Sequence, residues 1–261
     1  MDFTDVDARG PENLSGSIAR FAPVKRKHAL IGGHADTLYV RDHEWEAART
    51  FLIFIDRSRS MNYSSGKHPQ KSDHALIMGL ALADLLVRSG ERVGLIGQTT
   101  PSASRQIIDH LAEALLQPIT RDGDLPQPLP LSKKAHLVLI GDFLIEPETI
   151  EKTLAEFDRD HISITLLRIL DPVEIDFPFS GETELLSAES ALALEIGDAS
   201  EFATHARAKL KTHDEALHQI AQNHRAFFIT HRTDEAMTQN LVTLMTHFAQ
   251  RRNAGALRAH G

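Results

Sequence analysis

Two apolar runs, each ending at an aspartate, constrain the fold of this chain more than any other feature. Residues 51–55 are all apolar and lead into Asp56, and the run 136–140, apolar after its first residue, leads into Gly141 and Asp142. Continuous apolar runs of this length are typical of strands buried on both faces, as in a parallel sheet covered by helices. The two runs therefore predict buried parallel strands of an α/β protein.

Helical patterns alternate with further strand patterns along the chain. We expect helices over 75–88, 105–117, 147–157, 200–224 and 233–252, and additional strands over 93–96, 162–167 and 226–229. Ser72 is the candidate N-cap of the first helix. This alternation predicts a doubly wound, mostly parallel sheet flanked by helices.

The glycine and proline content divides the chain into regions. Residues 1–48 carry several glycines and prolines without periodicity, which predicts an irregular N-terminal segment followed by one domain over 49–261. Residues 171–198 lack a clear pattern and are expected to form an irregular or hairpin-bearing excursion from that domain. Residues 171–174 at its start are expected to form a strand-terminating turn with solvated acids, although Glu174 and Asp176 could face a partner.

Composition excludes several classes of protein. The 261 residues include no cysteine, which excludes a disulfide scaffold, thiol catalysis and cysteine-ligated zinc. The formal net charge of -8 argues against a nucleic-acid partner. No apolar stretch is long enough to span a membrane, and the acidic first residues do not have the pattern of an export signal. We therefore expect a cytoplasmic protein.

Oxygen-bearing side chains follow both apolar runs. Asp56, Ser58 and Ser60 come after the first run, and Asp142 comes after the second. The carboxyl ends of parallel strands lie at one edge of a sheet, so these side chains should converge. Carboxylate and hydroxyl oxygens suit Mg²⁺ or Mn²⁺, and Mg²⁺ commonly keeps several waters and only one or two carboxylates. The pattern predicts a metal site, although acids and serines also simply cap turns after strands.

The Asp-x-Ser-x-Ser pattern with a later aspartate resembles the metal-ion-dependent adhesion site of von Willebrand factor A domains. Together with residues 40–48, 75–95, 139–144 and 170–179, it resembles the bacterial domain of unknown function 58 family. This resemblance implies a von Willebrand factor A-like fold and no established catalytic activity. It further implies association with a MoxR-type AAA+ ATPase in protein maturation or assembly, and a threonine from another loop as a metal ligand, for which Thr100 is one candidate.

Two functional alternatives remain at this stage. The first is a non-enzymatic module with no catalytic residues, in which a cation captures an acidic side chain of a protein partner. The second is a Mg²⁺-dependent phosphoryl-transfer enzyme or nuclease that uses the same aspartates, although Ser58 stands where such phosphatases commonly carry a second carboxylate. Arg57 and Arg59 are candidate partner-binding residues, and they could also replace the charge of the metal in a cation-free, anion-binding edge.

Overall fold

Both apolar runs form central strands of a parallel sheet. The computed structural model describes residues 48–66, 68–118, 123–132, 135–158, 162–179, 183–186, 193–196 and 199–258. All but the last residue of the predicted irregular segment 1–48 lies outside them. The main sheet contains β1 (Thr50–Ile55), β2 (Arg92–Leu95), β3 (Ala135–Gly141), β4 (Ser163–Leu170) and β7 (Phe227–Arg232). All the pairings in this sheet are parallel, and the strand order is β2-β1-β3-β4-β7.

Helices connect and cover these strands. They are α1 (Lys71–Arg88), α2 (Ile107–Leu116), α3 (Pro147–Asp158), α4 (Pro172–Asp176), α5 (Ala199–Asn223) and α6 (Met237–Arg258). A short 3₁₀ turn covers Arg59–Asn62, and an antiparallel hairpin is formed by β5 (Thr183–Leu186) and β6 (Ala193–Ile196). None of the helices in the described part of the chain is long and apolar enough to cross a membrane.

The core lies on both faces of the main sheet. Phe51, Ile53 and Ile55 of β1 pack on one face with apolar residues of α1, α2 and α6. Leu52 points to the other face, where residues of α3 and α5 cover β3 and β4. Because successive residues of a strand point to opposite faces, a strand covered on both sides must be apolar throughout. The predicted doubly wound α/β class is therefore confirmed.

The first helix differs from the prediction at its beginning. It starts at Lys71 after Gln70 as N-cap, so Ser72 lies inside the first turn and the predicted cap is wrong. With Ser72 as the N-cap the helix would begin at residue 73, because Lys71 looks like a solvated residue. In the structure Lys71 is completely buried, and its ion pairs stabilise the earlier start.

Candidate functional site

The ends of β1 and β3 bring Asp56 and Asp142 to one edge of the sheet, which we call the carboxyl edge. The parallel register pairs Ile55 with Ile140, and the backbone N–H of Asp56 donates to the Ile140 carbonyl at 2.8 Å. Both aspartates are only 1% exposed. The predicted convergence of the two carboxylates therefore follows from strand pairing, and it occurs in a region from which water is largely excluded.

Gly141 allows the close approach of these two strand ends. A Cβ atom at this position would lie 2.8 Å from the Cβ of Asp56 and 3.0 Å from its Oδ2. Real Cβ atoms are not found so close to other heavy atoms, so any side chain at position 141 would move Asp56 or its strand. Gly141 is therefore needed because it has no side chain. Its backbone conformation is not left-handed, so conformational freedom is not the reason for a glycine here.

Asp56 has one satisfied and one unsatisfied carboxylate oxygen. Its Oδ1 accepts a hydrogen bond from the Ser58 backbone N–H at 2.8 Å, whereas the buried Oδ2 has no hydrogen-bond partner. Burial raises the pKa of Asp56 to about 7, and nearby Asp142 and Asp124 act in the same direction, against the hydrogen bonds from Ser58. Buried polar atoms are nearly always paired, which makes this oxygen a candidate ligand-binding atom.

Two hydroxyl groups lie next along the same loop. The Oγ atoms of Ser58 and Ser60 are 3.0 Å apart and share a hydrogen bond. Ser60 is part of the 3₁₀ turn Arg59–Asn62, which Met61 anchors because its side chain is fully buried in the core. This anchoring folds the loop back so that the two hydroxyls face each other.

A buried lysine occupies the Asp142 side of the edge. The Nζ of Lys71 donates to Asp142 Oδ2 at 2.9 Å and to Glu174 Oε1 at 2.6 Å. Burial acts to lower the pKa of Lys71, but the two carboxylates outweigh it and raise the pKa above its usual value. Lys71 is therefore a fixed positive charge. The other Asp142 oxygen, Oδ1, accepts from the Leu144 backbone N–H at 3.1 Å.

Sequence reasoning did not identify Lys71, although a signal for it exists. Positions 71, 75, 78 and 82 follow the i, i+4, i+7, i+11 spacing of one helix face, and Ala75, Met78 and Leu82 on that face are fully buried. A charged residue that continues a buried stripe requires a buried partner of opposite charge.

The acidic residues after β4 were predicted to be a solvated turn, and this is wrong for two of them. Asp171 is fully buried and caps α4: its Oδ1 accepts from the Val173 N–H at 2.9 Å, while Glu174 Oε2 accepts from the Asp171 N–H at 2.8 Å. The second Asp171 oxygen accepts from the Ser65 N–H at 3.0 Å. This capping box directs the Glu174 carboxylate towards Lys71.

The remaining predicted site residues lie around the edge without joining it. Thr100 is exposed and belongs to a segment that returns along β2, where Ser102 pairs with Val93. Because β1 pairs with the opposite side of β2, that strand stands between Thr100 and Asp56. Arg57 donates to the Gln117 carbonyl at 2.9 Å, and Arg59 is exposed. Within the part of the chain that the structure describes, neither arginine forms an ion pair with Asp56 or Asp142. Lys71 balances the charge of Asp142 instead.

The donor set fits a hard divalent cation on the Asp56 side. Within the described ranges, no three His, Asp or Glu side chains are placed to hold a metal ion, so a site here depends on hydroxyl oxygens as well. Asp56 Oδ2 is unpaired, and Ser58 and Ser60 present two hydroxyls. Lys71 balances only part of the charge of Asp142 and Glu174, so ionised Asp56 adds to an excess of negative charge at the edge, which favours a cation.

Three comparisons place the chain among known proteins, and one of them shows its family. Two solved structures resemble the chain: conserved hypothetical protein BatB from Bacteroides thetaiotaomicron (11% identity, TM-score 0.44) and an aerotolerance-related membrane protein from Bacteroides fragilis (12% identity, TM-score 0.45). Each match covers 78% of this chain and 100% of the other. No curated protein matches. The family model described as protein of unknown function DUF58 matches residues 32–217, and this chain therefore belongs to the DUF58 family.

Proposed function

We propose that this chain is a non-enzymatic protein-interaction module that holds Mg²⁺ or Mn²⁺ at the carboxyl edge. In this proposal Asp56, Ser58 and Ser60 hold the ion and Asp142 faces it from the neighbouring strand. The observation that carries the proposal is the buried, unpartnered Oδ2 of Asp56 beside two hydroxyl groups. A cation held by few carboxylates keeps affinity for another one, and a protein partner would supply it.

Each residue has a distinct task in this proposal. Asp56 supplies the charged oxygen, and the Ser58 N–H holds its other oxygen so that the carboxylate keeps one orientation. Lys71 pairs with Asp142 and reduces the repulsion between the two neighbouring carboxylates while the ion is absent. Arg59 is exposed on the 3₁₀ turn, where its charge would attract an acidic partner during approach.

Binding is favoured over phosphoryl transfer by the arrangement of charges. Lys71 is fully buried and engages two carboxylates, so it presents no exposed charge to a transferred phosphate while Glu174 is in place. Ser58 stands two residues after Asp56, where a carboxylate would be required for acid catalysis in the related phosphatase chemistry. We accordingly expect no hydrolysis of p-nitrophenyl phosphate with Mg²⁺ or Mn²⁺.

The metal part of the proposal is tested by titrating the protein with Mn²⁺ and recording bound ion by electron paramagnetic resonance. We expect one saturable site in the wild type, loss of at least tenfold in affinity in Asp56→Asn and in the Ser58→Ala/Ser60→Ala double variant, and no change in Asp109→Asn. Asp109 is an exposed carboxylate of α2 and controls for the loss of one negative charge. Equal binding by wild type and Asp56→Asn, or no saturable binding, would contradict the metal site.

The protein partner in this proposal is a MoxR-type AAA+ ATPase, which the family resemblance suggests. It is tested with the purified ATPase encoded in the same genome, by isothermal titration in Mg²⁺ and again in EDTA. We expect binding in Mg²⁺ that weakens at least tenfold in EDTA and in Arg59→Glu. The Arg88→Glu variant, whose charge change is on the exposed side of α1, is the matched control and should bind as the wild type does.

A further inference from the structure

Glu174 contacts Lys71 in the way that a carboxylate ligand would contact a binding site. Lys71 extends from the first turn of α1, Asp142 holds it from β3, and Glu174 approaches from α4 at 2.6 Å. We infer that Lys71 is the centre of a carboxylate-binding subsite, that Glu174 is its resident ligand, and that an acidic side chain of a partner displaces Glu174. That the displacing group comes from a partner rests on the function proposed above. The subsite itself requires no metal.

The subsite is built from fixed groups on all sides except that of α4. Lys71 is completely buried. Asp142 is held at both oxygens, by Lys71 and by the Leu144 N–H. The ring of Tyr63 lies 5.8 Å from Nζ and adds an electron-rich wall. An ammonium has three donors, so removal of Glu174 leaves a buried cation in need of an acceptor. A carboxylate is the group that best replaces it.

The element that carries Glu174 is weakly attached. Four of the five residues of α4 are half-buried and none is fully buried, so less apolar surface opposes its departure than that of a core helix. Its other ionic attachment is the pair between Asp176 and Arg232 at 3.2 Å, and Arg232 also binds Asp234. Segments with little buried apolar surface open at low free-energy cost.

An open cleft lies beside α4. It has a volume of about 290 Å³ and is lined by Ile175 of α4 together with Leu210 of α5 and Leu170 at the end of β4. One side of the helix therefore borders space that solvent can enter. Glu174 and the capping box are polar contacts that hold α4 at the site, and exchange of one carboxylate for another would break the contact with Lys71.

Chemical rescue tests the subsite directly. Glu174→Ala removes the resident carboxylate, and sodium propionate is the probe, with propionamide at equal ionic strength as the neutral control; EDTA is present throughout. We expect propionate at ten times its dissociation constant to raise the melting temperature of Glu174→Ala by about 3–5 °C. Propionamide should not raise it. Wild type, in which Glu174 fills the subsite, should shift by less than a third of that amount.

Two variants separate the subsite from general anion effects. Asp176→Ala removes the other acid at the end of α4 and should show no rescue. The Lys71→Met/Glu174→Ala variant lacks the cation and should not respond to propionate. Equal rescue in the double variant, rescue by propionamide, or no rescue in Glu174→Ala would overturn the inference.

A second measurement on the wild type covers the case in which the double variant does not fold. A short polyglutamate peptide in EDTA should increase amide hydrogen exchange of residues 171–177 severalfold, and a polyglutamine peptide should leave it unchanged. Unchanged exchange with both peptides would overturn the displacement of α4. Because no metal is present, failure here would leave the Mn²⁺ titration unaffected, and the two proposals can fail separately.

Discussion

Two parts of the sheet bury polar side chains, and they do so in opposite ways. Near the amino ends of the central strands, His136 of β3 and Thr165 of β4 share one hydrogen bond of 2.8 Å, and Phe51 stacks on the imidazole. At the carboxyl edge, Asp56, Asp142 and Lys71 are as deeply buried but charged, and Asp56 Oδ2 has no partner. The His136–Thr165 pair is neutral, and its two side chains hydrogen-bond to each other. The group at the carboxyl edge is charged, and one of its carboxylate oxygens has no partner.

The difference distinguishes structural burial from functional burial. A neutral pair that satisfies itself costs little and needs nothing from outside. An unpaired carboxylate oxygen in a nearly water-free place costs free energy, and chains retain such groups where a ligand compensates for the cost. The comparison predicts that changes at the edge affect stability and ligand binding together, while changes at His136 affect stability alone.

The largest effect is expected from Lys71→Met. This change leaves the buried Asp142 and the partly buried Glu174 without their cation, and breaking a buried pair from one side costs about 3–5 kcal/mol. Urea denaturation at neutral pH measures the free energy of unfolding. Adding Glu174→Gln to Lys71→Met should restore part of the loss, since one uncompensated charge is then removed.

The matched control lies on the same helix. Arg88 forms an ion pair with Asp84, but their side chains are 56% and 34% exposed. Arg88→Met should change the free energy of unfolding by less than about 1 kcal/mol because exposed pairs contribute little. A similar cost for Lys71→Met and Arg88→Met would refute the buried-charge description of the edge.

Much of the fold and part of the site could be predicted from sequence. The continuous apolar runs predict β1 and β3, and their ends place Asp56 and Asp142 at one edge, because a parallel strand determines where its last residue lies. The α3 helix begins at Pro147 as predicted, since proline suits the first helical turn. These features depend on local pattern.

The parts that were missed depend on contacts between distant residues. Lys71 and Glu174 lie 103 positions apart, and neither sequence context shows that the two side chains meet. The position of Thr100 also could not be predicted, because it depends on a return of the chain along the outer side of β2. Whether Thr100 binds metal stays a prediction.

Lowering the pH tests whether the His136–Thr165 pair is neutral in the folded protein. Burial lowers the pKa of His136 to about 3, and positive groups at Arg251, His247 and Arg49 act in the same direction. The unfolded state, with a histidine pKa of about 6.5, then binds more protons as the pH falls. His136 thus contributes stability that is present above pH 6.5 and is lost progressively below it. Between about pH 7.5 and pH 5 this loss should be about 2 kcal/mol.

A double variant isolates this contribution from those of other titrating groups. His136→Leu combined with Thr165→Val removes both hydrogen-bonding partners, so that no buried polar group is left alone. Urea denaturation at the two pH values should show that wild type loses about 2 kcal/mol more than the double variant on acidification. An equal loss in both proteins would show that His136 is protonated in the folded state at pH 5. Mn²⁺ binding should be unchanged, in contrast to Asp56→Asn.

The smallest effect is expected from two glycine substitutions. They compare how much space is left for a methyl group at the carboxyl edge, at Gly141, and in the core, at Gly79. A methyl group at Gly79 would lie 2.5 Å from the Cδ1 of Ile55, the flexible end of a side chain, whereas at Gly141 it would meet the Cβ of Asp56. Gly79→Ala should be nearly neutral, because repacking of Ile55 is offset by about 1 kcal/mol of helix propensity. Gly141→Ala should cost about 1.5 kcal/mol in the free energy of unfolding, since Asp56 cannot rotate away without moving the strand end. The same displacement of Asp56 should weaken Mn²⁺ binding at least tenfold. If Gly141→Ala binds Mn²⁺ as the wild type does, ion binding does not depend on the position that the pairing of β1 with β3 gives to Asp56.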